Sequence, residues 1–109
     1  MITIDELCQV VASIGLPWAQ VGFERGDDVA PPFIVLMPTS SDNSGANDSV
    51  WTHTTDYDVE LYTEHRDYNL EAAIATALET AGTFWEPGGY WHLESESMFE
   101  TVFTVTVRE

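Results

Sequence analysis

The chain has 109 residues, of which 44% are hydrophobic and 12% aromatic, so the sequence predicts a single domain with a genuine core. It carries 19 acidic residues against three arginines and no lysine, for a formal net charge of −16. Such a surface repels nucleic acid and anionic membranes, because both bind proteins through Lys and Arg. No apolar run approaches the roughly 20 residues of a membrane span, and the acidic N-terminus is unlike a signal peptide.

Three explanations of this charge stay open. The acidic surface can be kept for solubility, or reflect a salt-adapted host. It can instead be a surface that DNA passes without adhering, or a DNA mimic that occupies the basic groove of another protein. Composition alone favours the first explanation.

The single cysteine, Cys8, excludes an internal disulfide and fits synthesis in a reducing cytoplasm. Together with Leu7 and Val11 it belongs to one apolar stripe at helical spacing. We therefore expect Cys8 to be a core thiol rather than a reactive one.

The first half of the chain predicts one helix and two strands. Thr3 and Glu6 have the spacing of a capping box and begin a helix over residues 4–14. Alternating residues predict a strand over 18–24. The apolar run at 33–37 predicts a buried strand that Pro38 stops, and the polar residues 39–49 predict a mobile loop.

The second half begins with a long strand that alternates from Val50 to Tyr62, with its acidic residues on one side. A helix follows, capped by Asp67 or Asn69 and ended by Gly82. Aromatic residues on either side of a Pro-Gly-Gly turn predict a hairpin over 84–91. The last strand, 99–107, is strongly β-prone, so we do not expect it at a bare sheet edge.

The predicted fold class is therefore α+β, in the order α-β-β-β-α-β-β and within one domain, 1–109. Two helices are expected to cover one face of a mostly antiparallel sheet of about five strands.

The sequence offers little chemistry. The three histidines, His53, His65 and His92, lack the spacing of a metal motif. No phosphate-binding glycine loop or nucleophile motif is present. Carboxylate pairs such as Asp56/Asp58 and Glu94/Glu96 arise by chance in so acidic a chain. We expect no catalytic residue, no cofactor and no metal site, and hence a protein that is not an enzyme.

Four stretches carry a resemblance to a known family. They are Thr3-Ile4-Asp5-Glu6-Leu7 with Leu16-Pro17, Ala30-Pro31-Pro32-Phe33-Ile34-Val35, Asp58-Val59-Glu60-Leu61-Tyr62-Thr63 with Asp67 and Glu71, and Glu94-Ser95-Glu96-Ser97-Met98-Phe99-Glu100-Thr101-Val102-Phe103. In order and spacing they resemble the tail terminator (tail-completion, head–tail joining) proteins of long-tailed bacteriophages. Each stretch is structural, and the absence of lysine departs from the family pattern.

The resemblance implies a virion structural protein that is assembled in the host cytoplasm and lies at the tail–neck junction. It implies a ring, with six subunits expected, that caps the tail tube and contacts the major tail tube protein and a head-completion or neck protein. DNA would pass through the lumen without sequence-specific binding, and no membrane is involved.

Aromatic residues dominate the energetics of protein interfaces, so subunit contacts are predicted at Trp85, Tyr90 and Trp91. The resemblance also implies a protruding loop that contacts neighbouring subunits, and we expect Asp42 and Asn43 of the loop over 39–49 to belong to this interface. The alternative for the three aromatic residues is a place in the core of the domain. The alternative function is an acidic DNA-mimic inhibitor of a host nuclease or restriction system.

Overall fold

The computed structural model describes the backbone of residues 1–23, 29–44 and 52–108, and their side chains other than those of 40–44, 52 and 53. The elements are α1 Ile4–Ser13, β1 Trp18–Gln20, β2 Phe33–Ser44, β3 Thr52–Thr63, α2 Tyr68–Thr80, β4 Trp85–Leu93 and β5 Met98–Arg108, with a short 3-10 turn at Glu94–Glu96. This order confirms the predicted α-β-β-β-α-β-β arrangement.

The five strands form one sheet in the order β1-β2-β3-β5-β4. β1 pairs with β2 in parallel, and the other neighbours are antiparallel. β5 lies between β3 and β4, as expected for a strongly β-prone segment. β4 therefore forms one edge of the sheet, and the three-residue β1 forms the other.

Both helices begin where the sequence predicts. The Thr3 hydroxyl accepts a hydrogen bond from the Glu6 amide at 3.2 Å, and the Glu6 carboxylate accepts one from the Thr3 amide at 3.1 Å. In α2 the Asp67 carboxylate accepts from the Leu70 amide at 3.0 Å. These side chains satisfy backbone donors that have no partner within the helix.

The two helices pack on one face of the sheet, which we call the helix-covered face. Its buried side chains from the strands are Ile34, Leu36, Val59, Leu61, Phe103, Val105 and Val107, and they form one cluster with Leu7, Val11, Ile74 and Leu78 of the helices. Cys8 is half-buried and packs against this cluster. Within the part of the chain described, no helix is long and apolar enough to cross a membrane.

Alternate residues of the strands point to the opposite face, which neither helix covers and which we call the open face. It carries Val35, Asp56, Asp58, Glu60, Tyr62, Glu100, Val102, Thr104 and Thr106. Val35 and Val102 are 6% and 4% exposed but lie outside the main core cluster. The open face therefore has a small apolar centre of its own.

The predicted strand end at Pro38 and the predicted loop over 39–44 are wrong. β2 continues through Pro38 to Ser44, and its register against β3 shifts between Pro38 and Ser40. Proline cannot donate to a strand ladder, but a bulge accommodates it. Residues 45–49 of the predicted loop lie outside the described residues.

The predicted strand over 18–24 is too long, because β1 ends at Gln20. Val21 follows with a φ of +69°, and Gly22 has a φ of +148°. Neither value is compatible with an extended strand, so the chain leaves the sheet here. Position 24 lies outside the described residues.

The predicted hairpin over 84–91 is also wrong. Residues 85–93 form one continuous strand, β4, whose register against β5 shifts between Pro87 and Gly89. The Pro-Gly-Gly sequence therefore makes a bulge in an edge strand rather than a turn. An added Cβ on Gly88 would lie 2.5 Å from Val102 Cγ1, so only glycine fits this close approach.

Candidate functional site

A row of carboxylates crosses the open face. Asp56, Asp58 and Glu60 alternate along β3, so that neighbours are about 7 Å apart, and Glu100 joins them from β5 through its pairing with Tyr62. Neither α1 nor α2 covers these side chains. The row concentrates negative charge on one side of the sheet.

Tyr62 binds the two carboxylates at one end of this row, Glu60 and Glu100. Its hydroxyl lies 3.1 Å from Glu60 Oε1 and 2.9 Å from Glu100 Oε2. One hydroxyl proton can be donated to only one of the two carboxylates at a time. Desolvation, with repulsion from Glu100 and Asp58, raises the pKa of Glu60, although the Tyr62 hydrogen bond opposes this change. Burial and both carboxylates raise the pKa of Tyr62, so its hydroxyl stays protonated.

Threonines of β5 support the remaining carboxylates. Thr104 Oγ1 donates to Asp58 Oδ1 at 3.0 Å, and Thr106 Oγ1 donates to Asp56 Oδ1 at 2.6 Å. The register that pairs Asp58 with Thr104 and Asp56 with Thr106 brings each donor opposite its acceptor. The acidic row is thus fixed in position by the sheet itself.

The edge strand β4 carries the three aromatic residues that the sequence predicts for an interface. Trp85 packs against Phe103 with ring centroids 5.2 Å apart and belongs to the periphery of the core. Tyr90 and Trp91 are 41% and 48% exposed and point to opposite faces of the sheet. The structure therefore leaves Tyr90 and Trp91 accessible, whereas Trp85 fits the alternative of a core residue.

Arg66 holds Tyr90 in position, a contact that the sequence pattern does not predict. The guanidinium lies 3.8 Å from the centroid of the Tyr90 ring and 4.8 Å from that of Tyr68, which are cation–π distances. It also binds both carboxylate oxygens of Glu71, at 2.8 and 3.2 Å. This bidentate hydrogen bond raises the pKa of Arg66 further above its usual value.

The other predicted residues are dispersed. The backbones of Asp42 and Asn43 pair with Thr54 and His53 in the β2–β3 ribbon, and the side chains of both predicted residues lie outside the described residues. His65 and His92 line a cavity of about 680 Å³ with Glu94 and Glu96. Within residues 1–23, 29–44 and 52–108 no three His, Cys, Asp or Glu side chains form a group that could hold a metal ion.

Comparisons with known proteins support the fold. The chain matches no known protein-family model and no curated protein. Its structure is similar to that of a chain from the virion of native gene transfer agent (GTA) particle. The match has a TM-score of 0.52 at 14% identity and covers 92% of this chain and 84% of the other. At this identity the likeness shows a shared fold.

Two exposed features of the candidate site lie beyond the sequence analysis. Phe84 is 79% exposed and Tyr68 is 68% exposed. The interpretation of residues 84–91 as a hairpin placed Phe84 in a strand, so its exposure was not expected. Tyr68 begins α2 on the side away from the buried Ile74 and Leu78, and the helical periodicity could have indicated this.

Proposed function

We propose that this chain is a structural protein of a phage-like virion, and specifically a tail terminator that caps the tail tube and joins the tail to the neck. The observation that carries the proposal is the fold that the chain shares with a component of the GTA virion over 92% of its length. The order of the four family-like stretches supports the finer assignment. The proposed role is structural, and it requires no catalytic residue.

The acidic open face suits a surface along which DNA travels. Every lysine or arginine in such a lumen would be a phosphate contact that slows passage. The chain has no lysine, and the carboxylates Asp58, Glu60 and Glu100 lie on the face that neither α1 nor α2 covers. Arg108, at the end of β5, lies on the same face through its pairing with Thr54, and its Nε donates to the Met1 carbonyl. We therefore assign the open face to the lumen of a ring, with six subunits expected.

The β4 edge suits a contact between subunits. Two copies with a net charge of −16 repel each other, so a contact surface between them should be poor in charge. β4 contains a single carboxylate in nine residues and exposes Tyr90 and Trp91. These aromatic side chains supply large contact areas at small cost in conformational entropy.

Deletion of the gene tests the proposed role. Particles made without the protein should contain unjoined heads and tails of irregular length, and a plasmid-borne copy should restore joined particles. Pull-down with the wild-type chain should recover the tail tube and neck proteins. Normal particles from the deletion strain would contradict the tail terminator assignment.

Matched variants test the contact surface. Tyr90→Ser and Trp91→Ser together should leave the circular dichroism spectrum unchanged but abolish both ring formation in native mass spectrometry and complementation. Val21→Ser removes an apolar side chain that is 63% exposed, at the opposite edge of the sheet from β4, and serves as the control. If all the variants assemble equally well, the contact between subunits lies elsewhere.

The acidic row also favours a second candidate, a DNA-mimic inhibitor of a host nuclease or restriction system. Asp56, Asp58 and Glu60 present regularly spaced negative charges on one strand, as a nucleic-acid backbone does. This function predicts that the pull-down recovers a host nuclease instead of virion proteins. The deletion strain would then produce normal virions.

A further inference from the structure

A second surface feature lies where β4 begins, at the edge of the open face. A cavity of about 430 Å³ opens there between the N-terminal residue, the residues after α2 and the ends of β3 and β5. The four family-like stretches contribute no lining residue to this cavity, and neither do the exposed Tyr90 and Trp91 of β4. Its lining combines carboxylates, hydroxyls and exposed apolar side chains.

Two carboxylates flank β5 in this cavity. Asp56 comes from β3 and pairs with Thr106, whereas Glu86 comes from β4 and pairs with Thr104. The carboxylate of Glu86 is exposed, and no hydrogen bond or ion pair links it to another described residue. Negative charge thus lies on both sides of β5 in the cavity.

Thr83 provides an independent indication that a polar ligand belongs here. The residue is 4% exposed and contributes to the wall of the cavity. Its Oγ1 is buried and has no hydrogen-bond partner among the described residues. Leaving a buried hydroxyl without a partner is costly, and a ligand that donates a hydrogen bond would remove this cost.

Two exposed apolar side chains lie at the rim of the cavity. Phe84 and Met1 are 79% and 62% exposed, and both line it. Arg108 Nε donates to the Met1 carbonyl at 3.2 Å, which holds the N-terminal residue beside the opening. A large aromatic ring beside carboxylates is the environment that a cation on an aliphatic stem prefers.

We propose that this cavity binds an arginine or lysine side chain of a partner protein. The cationic group would lie between Asp56 and Glu86 and donate a hydrogen bond to Thr83 Oγ1, and its aliphatic stem would pack on Phe84 and Met1. Arginine fits best, because its planar guanidinium can serve two acceptors and stack on a ring at once.

We take the partner to be a different protein rather than a second copy of this chain, because two copies with a net charge of −16 repel each other. The chain has no lysine. Of its three arginines, Arg66 is bound to Glu71 and Tyr90, and Arg108 is bound to Met1; Arg25 lies outside the described residues. The strongly acidic chain is complementary in charge to a basic partner. The inference holds whether or not the chain is a tail terminator.

An NMR titration of the full chain tests the proposal with a defined probe, the peptide acetyl-Gly-Arg-Gly-amide. Its citrulline analogue has nearly the same shape without the charge and is the matched control. The arginine peptide should shift the amide signals of residues 82–86, 104 and 106, whereas the citrulline peptide should not. Shifts spread evenly over the acidic surface would mean nonspecific attraction and would overturn the proposal.

Two variants sharpen the test. Glu86→Gln should weaken binding of the arginine peptide roughly tenfold, as expected for loss of one charge-assisted contact. Glu94→Gln removes the same charge at the other end of β4. It should weaken binding of the arginine peptide less than about twofold, because a remote surface charge contributes little to affinity. Equal effects of the two variants would contradict a specific site. A loss of self-association in Glu86→Gln would instead indicate an arginine of a second copy as the occupant.

Discussion

Val21 has a backbone conformation that is unfavourable for its branched side chain. Its φ of +69° places a β-branched residue in the left-handed region, at a cost of about 1–2 kcal/mol. The side chain is 63% exposed, so its replacement loses little packing. Val21→Asn should therefore raise the free energy of unfolding by about 1 kcal/mol, because asparagine tolerates this conformation. Urea denaturation measures the change. Val21→Thr keeps the branched Cβ and should be nearly neutral, so equal effects of the two variants would contradict the explanation.

Glu60 gives stability a dependence on pH. Burial raises the pKa of Glu60 in the folded state, so the folded chain holds this proton more tightly than the unfolded chain does. The resulting cost is absent below the unfolded pKa and appears as pH rises through the raised folded value. Glu60→Gln should accordingly stabilise the protein at pH 7 but not at pH 4. We expect a gain of only about 0.5 kcal/mol, because the side chain is partly exposed and solvent screens it.

Urea denaturation of Glu60→Gln at both pH values checks this expectation. Glu94→Gln, at an exposed position, is the control and should leave the pH dependence unchanged. A gain for Glu60→Gln that is as large at pH 4 as at pH 7 would mean that ionisation of Glu60 is not the cause.

Bulges decide the course of two strands. At Gly88 a Cβ would lie 2.5 Å from Val102 Cγ1 and 2.7 Å from Thr104 Oγ1, both on the neighbouring strand. Gly88→Ala should therefore destabilise the protein by roughly 1–3 kcal/mol, as overpacking does. If the clash with Val102 is the cause, Gly88→Ala combined with Val102→Ala should cost less than the sum of the two single changes. Thermal unfolding of the four proteins measures this coupling, and strict additivity would contradict the steric explanation.

The sequence predicts elements well where local signals and periodicity agree. Thr3 and Asp67 identify both helix starts, and the alternation in β3 and β5 assigns each residue to its correct face. Pro38 and Pro87 mislead, because a proline that stops a strand and one that sits in a bulge have the same local sequence. Whether a proline ends a strand or lies in a bulge depends on the strand that pairs with it. A single sequence does not identify that strand.

The candidate site was predictable only in part for the same reason. The sequence predicts an interface at the aromatic residues of β4, and the structure exposes two of them, Tyr90 and Trp91. The contact of Arg66 with Tyr90, and the cavity that Asp56 and Glu86 line together, bring together residues that are distant in sequence. Such contacts depend on strand order and register, which emerge only from the folded chain.

The net charge governs the behaviour of the whole molecule. Nineteen acidic residues repel one another in the compact state, and the described part of the chain contains a single ion pair, between Arg66 and Glu71. Raising the salt concentration at pH 7 to roughly 0.5 M should increase the melting temperature, because screening weakens this repulsion. Calorimetry at low and high salt measures the effect. An unchanged melting temperature would mean that self-repulsion does not limit stability.

Quantitative mass spectrometry of gradient-purified particles tests the proposed virion role most directly. The particles should come from cells that express the gene at its natural level, and a soluble protein of the same lysate serves as the marker of contamination. We predict that the chain remains with the particles, in a fixed ratio to the tail tube protein, through successive gradients in high salt. Loss of the chain together with the soluble marker would contradict a structural role in the virion.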